Sequence, residues 1–180
     1  MPSLSICVDG KPMARASSVV DGRLPVVSLA DLADYAREHL LAKNLPPLGP
    51  PAWTAPSKPL SEMRVALITT AGLHFRDAPA FELADVGFRP IDDAENAGDL
   101  VMLHSSVNFD RTGFAEDVNL VFPIDRVREL KARGAIGSLA SVHFSLMGAG
   151  HHPAAYETGA SQVAGMLAQD EVDAVFLTPI

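Results

Sequence analysis

The sequence feature that most constrains the fold is an alternation of strand-like and helix-like segments in the last two-thirds of the chain. Residues 64–70, 99–104, 141–146 and 172–177 are short apolar runs that are typical of buried strands. Residues 123–133 and 153–169 carry apolar side chains at helical spacing, and Pro123 and Gly134 lie where the first of these helices would begin and end. Strands separated by helices predict a parallel, three-layer α/β sheet. In such sheets ligands bind beyond the carboxyl ends of the strands.

The residues before this region divide into a leader, a helix and a connector. Residues 1–27 are irregular and contain two Asp-Gly turn pairs, which are compatible either with short flanking strands or with disorder. From Ser28, a good N-cap residue, apolar positions recur at helical spacing up to Asn44. Residues 45–60 contain six prolines, which favours an extended connector because proline fixes φ and removes a backbone donor. The predicted organisation is an irregular leader (1–27), an N-terminal helix with a Pro-rich connector (28–60) and an α/β domain (61–180).

Composition excludes several classes of protein. The chain has 14 Lys and Arg against 22 Asp and Glu, for a net charge of −8, and no basic cluster. This balance argues against a nucleic-acid partner, because phosphate binding depends on such clusters. A single cysteine, Cys7, permits neither an intramolecular disulfide nor a cysteine zinc site. No apolar run approaches the roughly 18 residues of a membrane span, and the N-terminus lacks the pattern of a secretory signal. We therefore expect a cytoplasmic globular protein without a membrane partner.

Polar residues collect after the predicted strands. Five of the six histidines lie at or near the predicted carboxyl edge: His74, His104, His143, His151 and His152. One hypothesis is a pocket in which imidazoles and Asp110 handle protons, with Arg76 and Arg111 as clamps for a carboxylate. The alternative is that single histidines end strands because they cap loops.

Metal and nucleotide sites find less support in the sequence. Histidines together with Asp110 would suit zinc or non-haem iron, but their spacing matches no tight ligand motif, so a metal is not favoured. Gly148-Ala149-Gly150 lacks the third glycine of a dinucleotide fingerprint and the Lys-Ser/Thr of a P-loop. No G-x-S-x-G elbow accompanies a Ser-His-Asp set.

Three stretches carry a family resemblance: VALITTAGLH at 65–74, HSSVNFDRTGF at 104–114 and DVNLVFPIDR at 117–126. With them, residues 61–180 resemble the selenoprotein B family of glycine, sarcosine, betaine and D-proline reductases. The resemblance implies a Rossmann-like or flavodoxin-like α/β fold and reductive cleavage of a carbon–nitrogen bond in a small amino-acid-like substrate. It also implies a partner subunit whose carbonyl group holds that substrate while a selenol or thiol attacks. Such nucleophiles suit the reaction because the ionised form attacks and the pair then closes to a (seleno)disulfide.

The family's redox residue opens a Sec-x-x-Cys or Cys-x-x-Cys motif directly after a strand like the one at 172–177. In this sequence the corresponding position would come directly after Ile180, the last residue given. We therefore expect selenocysteine or cysteine beyond Ile180, either because a UGA codon is taken as a stop or because the chain has been shortened. An apolar strand of this kind should lie centrally in its sheet. We accordingly expect an exposed apolar patch or a homo-oligomer interface at this strand.

These observations define a set of candidate site residues. The predicted catalytic residues are His74, His104, Asp110 and His143. The resemblance supplies motif positions for the first three, whereas their roles as proton donors and acceptors follow from residue type and placement. The predicted substrate-binding residues are Thr70, Gly72, Arg76, Ser105, Asn108, Arg111 and Gly148. Two other hypotheses remain: a non-catalytic protein or subunit that binds a small carboxylate, and a histidine-dependent metalloenzyme.

Overall fold

The structure is a computed structural model that describes residues 28–44, 47, 49–50, 54–106 and 111–180, together with the backbone of 7–8 and 11–12. The chain divides into two compact units, Met1–Asn44 and Leu45–Ile180. Most of the predicted leader and six of the sixteen residues of the predicted connector lie outside the described residues, and the predicted domain limits stay a prediction.

The first unit contains one short strand pair and one helix. Strand β1 (Cys7–Val8) pairs antiparallel with β2 (Lys11–Pro12), so short strands flank the first Asp-Gly pair. Ser28 and Asp31 form a capping box around a 3₁₀ turn, and the helix α1 (Asp34–Leu41) begins only after an extended Ala33. The predicted helix from Ser28 to Asn44 is thus too long. None of the residues of α1 is buried, so packing contributes little to extending it.

The second unit contains the remaining strands and helices. In chain order they are β3 (Arg64–Thr69), β4 (Leu73–Phe75), β5 (Phe88–Asp92), β6 (Leu100–Met102), α2 (Thr112–Glu116), α3 (Ile124–Ala132), β7 (Ser138–Leu139), β8 (Val142–Leu146), α4 (Glu157–Gln169) and β9 (Ala174–Thr178). Short 3₁₀ turns lie at 60–62, 97–99, 118–120 and 153–156. No helix in the described ranges is long and apolar enough to cross a membrane.

Strand β3 is the centre of the main sheet. On one side β7 and then β8 pair parallel with it, and on the other side β9 pairs parallel along its length, from Val65 opposite Ala174 to Thr69 opposite Thr178. Strand β5 pairs antiparallel with the outer edge of β8. The predicted strands at 64–70, 141–146 and 172–177 are therefore confirmed as a parallel set.

Helices cover opposite faces of this sheet. The face that carries Val65 and Leu67 packs against Ile124 and Val127 of α3 and against Phe122. On the other face, Phe144 of β8 and Met166 of α4 line a cavity of about 280 Å³. The helices predicted at 123–133 and 153–169 are confirmed, although the second begins as a 3₁₀ turn.

Two expectations about the sheet are wrong. The sheet is mixed rather than all-parallel, because β5 pairs antiparallel with the outer edge of β8, and the backbone groups of an edge strand can pair with a neighbour of either direction. Its Pro90 fits an edge strand, since proline cannot donate to a second neighbour. The strand predicted at 99–104 is β6, and it pairs antiparallel with β4 outside the main sheet. A Rossmann-like or flavodoxin-like topology, beyond the parallel strands β8, β3 and β9, stays a prediction.

Strand β9 lies at the edge of the sheet rather than in its centre. Within the described part of the chain it pairs only with β3. Its side chains Val175, Phe176 and Leu177 are 39%, 52% and 64% exposed. The structure therefore shows the exposed apolar patch that the sequence predicts, whereas a homo-oligomer interface remains untested.

Candidate functional site

The carboxyl ends of the three parallel strands meet at Thr70. Its backbone N–H donates to the carbonyl of Thr178 (3.2 Å), and its carbonyl accepts from the N–H of Gly148 (3.0 Å). Its hydroxyl oxygen accepts from the N–H of Ile180 (2.8 Å). The chain segments that follow β3, β8 and β9 are thus joined at one residue, at the sheet edge where open α/β sheets bind ligands.

Two predicted binding residues, Gly72 and Gly148, allow neighbouring chain segments to approach their backbone closely at this edge. Gly72 has a φ of 67°, and a Cβ there would lie 2.0 Å from the carbonyl oxygen of Leu103. A Cβ on Gly148 would lie 2.5 Å from the Cβ of Thr70. Only glycine allows both approaches without a backbone shift. These glycines shape the edge of the sheet rather than supply polar groups to it.

Ser105 brings the segment after β6 to the same place. The N–H of Leu103 donates to the carbonyl of Gly72 (3.0 Å). The Ser105 N–H donates to the sulfur of Met147 (3.4 Å), and its hydroxyl donates to the carbonyl of Ala149 (3.4 Å). The structure therefore brings together four of the predicted residues: Thr70, Gly72, Ser105 and Gly148.

His104 is a buried, neutral imidazole beside Ser105. It is 6% exposed, and burial together with the nearby Arg111 charge lowers its pKa. Its Nδ1 accepts from the N–H of Ser106 (3.2 Å), so the neutral ring carries its proton on Nε2. Arg111 donates to the carbonyls of His104 and Ser106. The arginine thereby holds the backbone of this segment, and its predicted role as a carboxylate clamp stays a prediction.

His74 lies on β4, opposite Val101 of β6. Its neighbours Leu73 and Phe75 face the core, and because side chains alternate along a strand, His74 faces the other way. The ring of Phe81 covers it edge to face, with ring centroids 6.2 Å apart and planes at 80°. His74 is 6% exposed. Its side chain is therefore enclosed although it lies outside the main core.

His143 does not lie at the carboxyl edge, and the expectation that it does is wrong. It is the second residue of β8 and is fully buried. Its Nδ1 accepts from the N–H of Leu67 (3.1 Å), and its ring packs edge to face on Phe122. Its Nε2 lies 3.7 Å from the carboxylate of Asp93, yet burial outweighs that charge and lowers the pKa. These contacts are typical of a structural histidine that completes the hydrogen bonds of β3.

The other predicted site residues are placed as follows. Arg76 is exposed just after β4, where its N–H donates to the carbonyl of Asp99 (3.2 Å). Asn108 and Asp110 lie outside the described residues, so their contribution is untested. His151 and His152 are exposed in the segment before α4.

Sequence reasoning missed residues that connect the strand ends. The hydroxyl of Thr69 donates to the carbonyl of Val121 (2.8 Å), and the hydroxyl of Ser145 accepts from the N–H of Leu73 (2.7 Å). Tyr156 donates to the carbonyl of Met147 (2.7 Å). Fully buried hydroxyls within apolar strands could have marked the first two, because such groups need a hydrogen-bond partner. Tyr156 carries no such sequence pattern.

No three His, Cys, Asp or Glu side chains come together as a metal-binding group in the ranges that the structure describes. The hypothesis of a histidine metal site therefore gains no geometric support from these residues. What the arrangement offers instead is a neutral imidazole, a hydroxyl and two glycines at the end of a mainly parallel sheet. In open α/β sheets this is the edge where ligands commonly bind.

Comparison with known proteins gives the family. Residues 51–180 match the model of the glycine/sarcosine/betaine reductase selenoprotein B family. D-proline reductase subunit gamma of Acetoanaerobium sticklandii is 38% identical over 132 residues, which cover 72% of this chain and 53% of that protein. Sarcosine reductase complex component B subunit beta of Peptoclostridium acidaminophilum is 31% identical over 127 residues, covering 67% and 29%. Glycine reductase complex component B subunit gamma of Symbiobacterium thermophilum is 31% identical over 132 residues, covering 68% and 30%.

The chain therefore belongs to the glycine/sarcosine/betaine reductase selenoprotein B family, and the resemblance noted in its sequence is confirmed. It spans about half the length of the D-proline reductase subunit and about three-tenths of the other two relatives. No solved structure matches it significantly.

Proposed function

We propose that this protein is a cytoplasmic component of a reductase system that cleaves a carbon–nitrogen bond in a small amino-acid-like substrate. Membership of the family supports an oxidoreductase role, since the relatives are subunits of D-proline, sarcosine, glycine and betaine reductases. They are named as subunits or complex components, which supports an assembly with partner subunits. The substrate and the carbonyl-bearing partner belong to the proposal.

The position of the chain after β9 is the structural observation that supports the proposal. The N–H of Ile180 donates to the hydroxyl of Thr70, so the chain leaves β9 beside the glycines and Ser105. In this family the selenol or thiol follows the corresponding strand. A nucleophile placed just beyond Ile180 would therefore stand at the edge where Thr70, Gly72, Ser105 and Gly148 meet.

The proposed reaction balances with a selenol–thiol or dithiol pair beyond Ile180. The ionised selenol or thiol attacks the carbon, and the amine leaves with the electron pair of the carbon–nitrogen bond and takes up a proton. The second thiol then attacks the first sulfur or selenium, which releases the carbon with that bond's electron pair, and a second proton completes the carbon–hydrogen bond. The substrate gains two electrons and two protons, and the pair becomes a (seleno)disulfide that an external dithiol reduces.

Within this scheme we assign the described polar residues as follows. His104 is neutral and carries its hydrogen on Nε2, which suits a hydrogen-bond donor to the departing amine rather than its source of a proton. Arg111 positions His104 through its carbonyl. His74 and Asp110 are assigned proton-handling roles from their residue type and placement, whereas the family resemblance supplies only their motif positions. His143 is assigned a structural role in β8 instead.

The test begins with the coding sequence beyond codon 180, where the proposal expects an in-frame UGA or a cysteine codon. The protein from the whole reading frame, with its partner subunit, is then assayed with dithiothreitol on glycine, sarcosine, betaine and D-proline. The expected products are the free amines, or the ring-opened amino acid from D-proline. H104Q should lower kcat by about 10²-fold or more, whereas H152Q, at an exposed histidine, should leave it unchanged. Absence of product with all four substrates would contradict the reductase and favour a non-catalytic binding subunit.

A further inference from the structure

The connection between β4 and β5 is a twelve-residue loop, residues 76–87, that contains turns but neither helix nor strand. Phe81 is its one fully enclosed side chain, at 3% exposure, whereas Leu83 two residues later is 73% exposed. Loops of this length without secondary structure are uncommon in compact domains and are often functional. The loop is thus attached to the body of the unit through a single apolar anchor.

That anchor covers His74. The rings of Phe81 and His74 meet edge to face, and both side chains are almost fully buried. The Nδ1 atom of His74 is buried, and no described residue hydrogen-bonds to it. A buried polar group without a hydrogen bond is destabilising, so a polar group of a ligand that reached this nitrogen would supply the missing bond. The imidazole is therefore suited to a ligand but is closed off from it.

Arg89, on β5, holds the loop in place from the sheet. Its Nε donates to the carbonyl of Pro79 (2.8 Å), and its Nη2 donates to the carbonyl of Ala80 (2.9 Å) and to the carboxylate of Asp85 (2.6 Å). Its guanidinium carbon lies 4.3 Å from the centroid of the Phe81 ring. One side chain thus bonds the loop on both sides of Phe81 and also packs on the ring.

We propose that the 76–87 loop is a lid over His74, in which Phe81 is the plug and Arg89 is the positioning residue that keeps the lid closed. Opening the lid lifts Phe81 and exposes Nδ1 to a small molecule that carries an ammonium or carboxylate group. The identity of that molecule, the amino-acid-like substrate, rests on the proposed reductase function. The proposal of a lid does not rest on that function, because access to the His74 imidazole can be measured without any turnover.

The experiment measures the reaction of each histidine with diethyl pyrocarbonate, by mass spectrometry of the modified peptides. His74 should react slowly in the native protein, while the exposed His151 and His152 react quickly. Arg89→Gln should raise the rate at His74 by at least tenfold, because the loop loses its bonds to β5. Phe81→Ala should do the same by removing the plug, and Phe81→Leu should restore most of the protection.

Two controls distinguish lid opening from a general loosening. Arg128→Gln removes an arginine that likewise binds a loop, through Asp93, but far along the sequence from the lid. It should change the rate at His74 by less than twofold. His143 is fully buried elsewhere in the unit and reports unfolding.

Equal His74 rates in the native protein and in Arg89→Gln would overturn the proposal. So would an equal rise in Arg128→Gln, or a rise at His143 that matches the rise at His74 in Arg89→Gln. A lid that opens as expected in a protein without reductase activity would uphold the lid and reject only the proposed substrate.

Discussion

Gly72→Ala tests whether the turn after β3 depends on glycine for its space as well as for its φ. Gly72 and Gly134 both have left-handed backbone, with φ values of 67° and 70°. They differ in their surroundings, because a Cβ on Gly134 would meet nothing within 4 Å whereas one on Gly72 would meet the Leu103 carbonyl at 2.0 Å. Gly134→Ala is therefore a matched control that carries the same backbone strain without the clash.

The expected costs follow from these surroundings. The left-handed conformation costs an alanine about 1–2 kcal/mol, and Gly134→Ala should lower the free energy of unfolding by that amount. Gly72→Ala carries this cost and must also move β6 away, which strains packing by about 1–3 kcal/mol and weakens the Leu103–Gly72 hydrogen bond. We expect a total loss of about 2–5 kcal/mol, or a difference from the control of about 1–3 kcal/mol.

Urea unfolding followed by far-UV circular dichroism measures both variants. The dependence of the free energy of unfolding on urea concentration should stay constant in both variants. The urea concentration at the midpoint should fall in both, and further for Gly72→Ala. Equal losses in the two variants would show that strain alone decides the cost, and that the close approach of Gly72 to Leu103 does not exist.

Three further predictions concern charge and surface. Burial lowers the pKa of His143. Below about pH 6.5, the usual pKa of histidine, the unfolded chain therefore binds a proton that the folded protein does not bind, which favours unfolding. Stability should be complete above that pH and fall as the pH drops towards 5, and urea titrations of His143→Asn should show a flatter profile; an unchanged slope would contradict this. Asp170→Ala should cost about 1–3 kcal/mol in urea unfolding, because it removes the carboxylate that accepts from Arg64 and from the N–H and hydroxyl of Ser141, whereas a loss below about 0.5 kcal/mol would refute that role. Leu177→Lys should change the free energy of unfolding by less than about 0.5 kcal/mol. It should also reduce self-association, measured by sedimentation, and the binding of an apolar dye. If neither self-association nor dye binding changed, β9 would not be an accessible apolar surface.

The sequence predicts the central strands and the two long helices of the second unit because apolar periodicity there agrees with burial. It does not predict how β5 and β6 pair. The apolar run at β6 looks like a sheet strand, yet Gly72 turns the chain after β3 and lets β4 take β6 as its partner. Strand β5 escapes notice because Pro90 interrupts its pattern, although an edge position tolerates it.

For the site, the rule that ligands bind at strand ends pointed to Thr70, Gly72, Ser105 and Gly148, which the structure brings together, while their role in binding stays a prediction. It placed His143 wrongly because a residue near the start of a strand lies far from that strand's carboxyl end. The lid over His74 could not be predicted, since it depends on Arg89 reaching backbone carbonyls, and such contacts leave no pattern of residue types.

The pairing of β3 with β9 has a consequence for biosynthesis. Thr178 donates to the carbonyl of Ile68 across 110 positions of sequence. At the usual rate of about 5–20 residues per second, the ribosome adds the second partner roughly 5–20 s after it has made β3. During that interval one edge of β3 has no strand to pair with, so the nascent chain presents an unpaired strand edge that a chaperone can bind. Slowing translation within α4 should therefore lower the yield of native protein, whereas slowing it after β9 should have little effect.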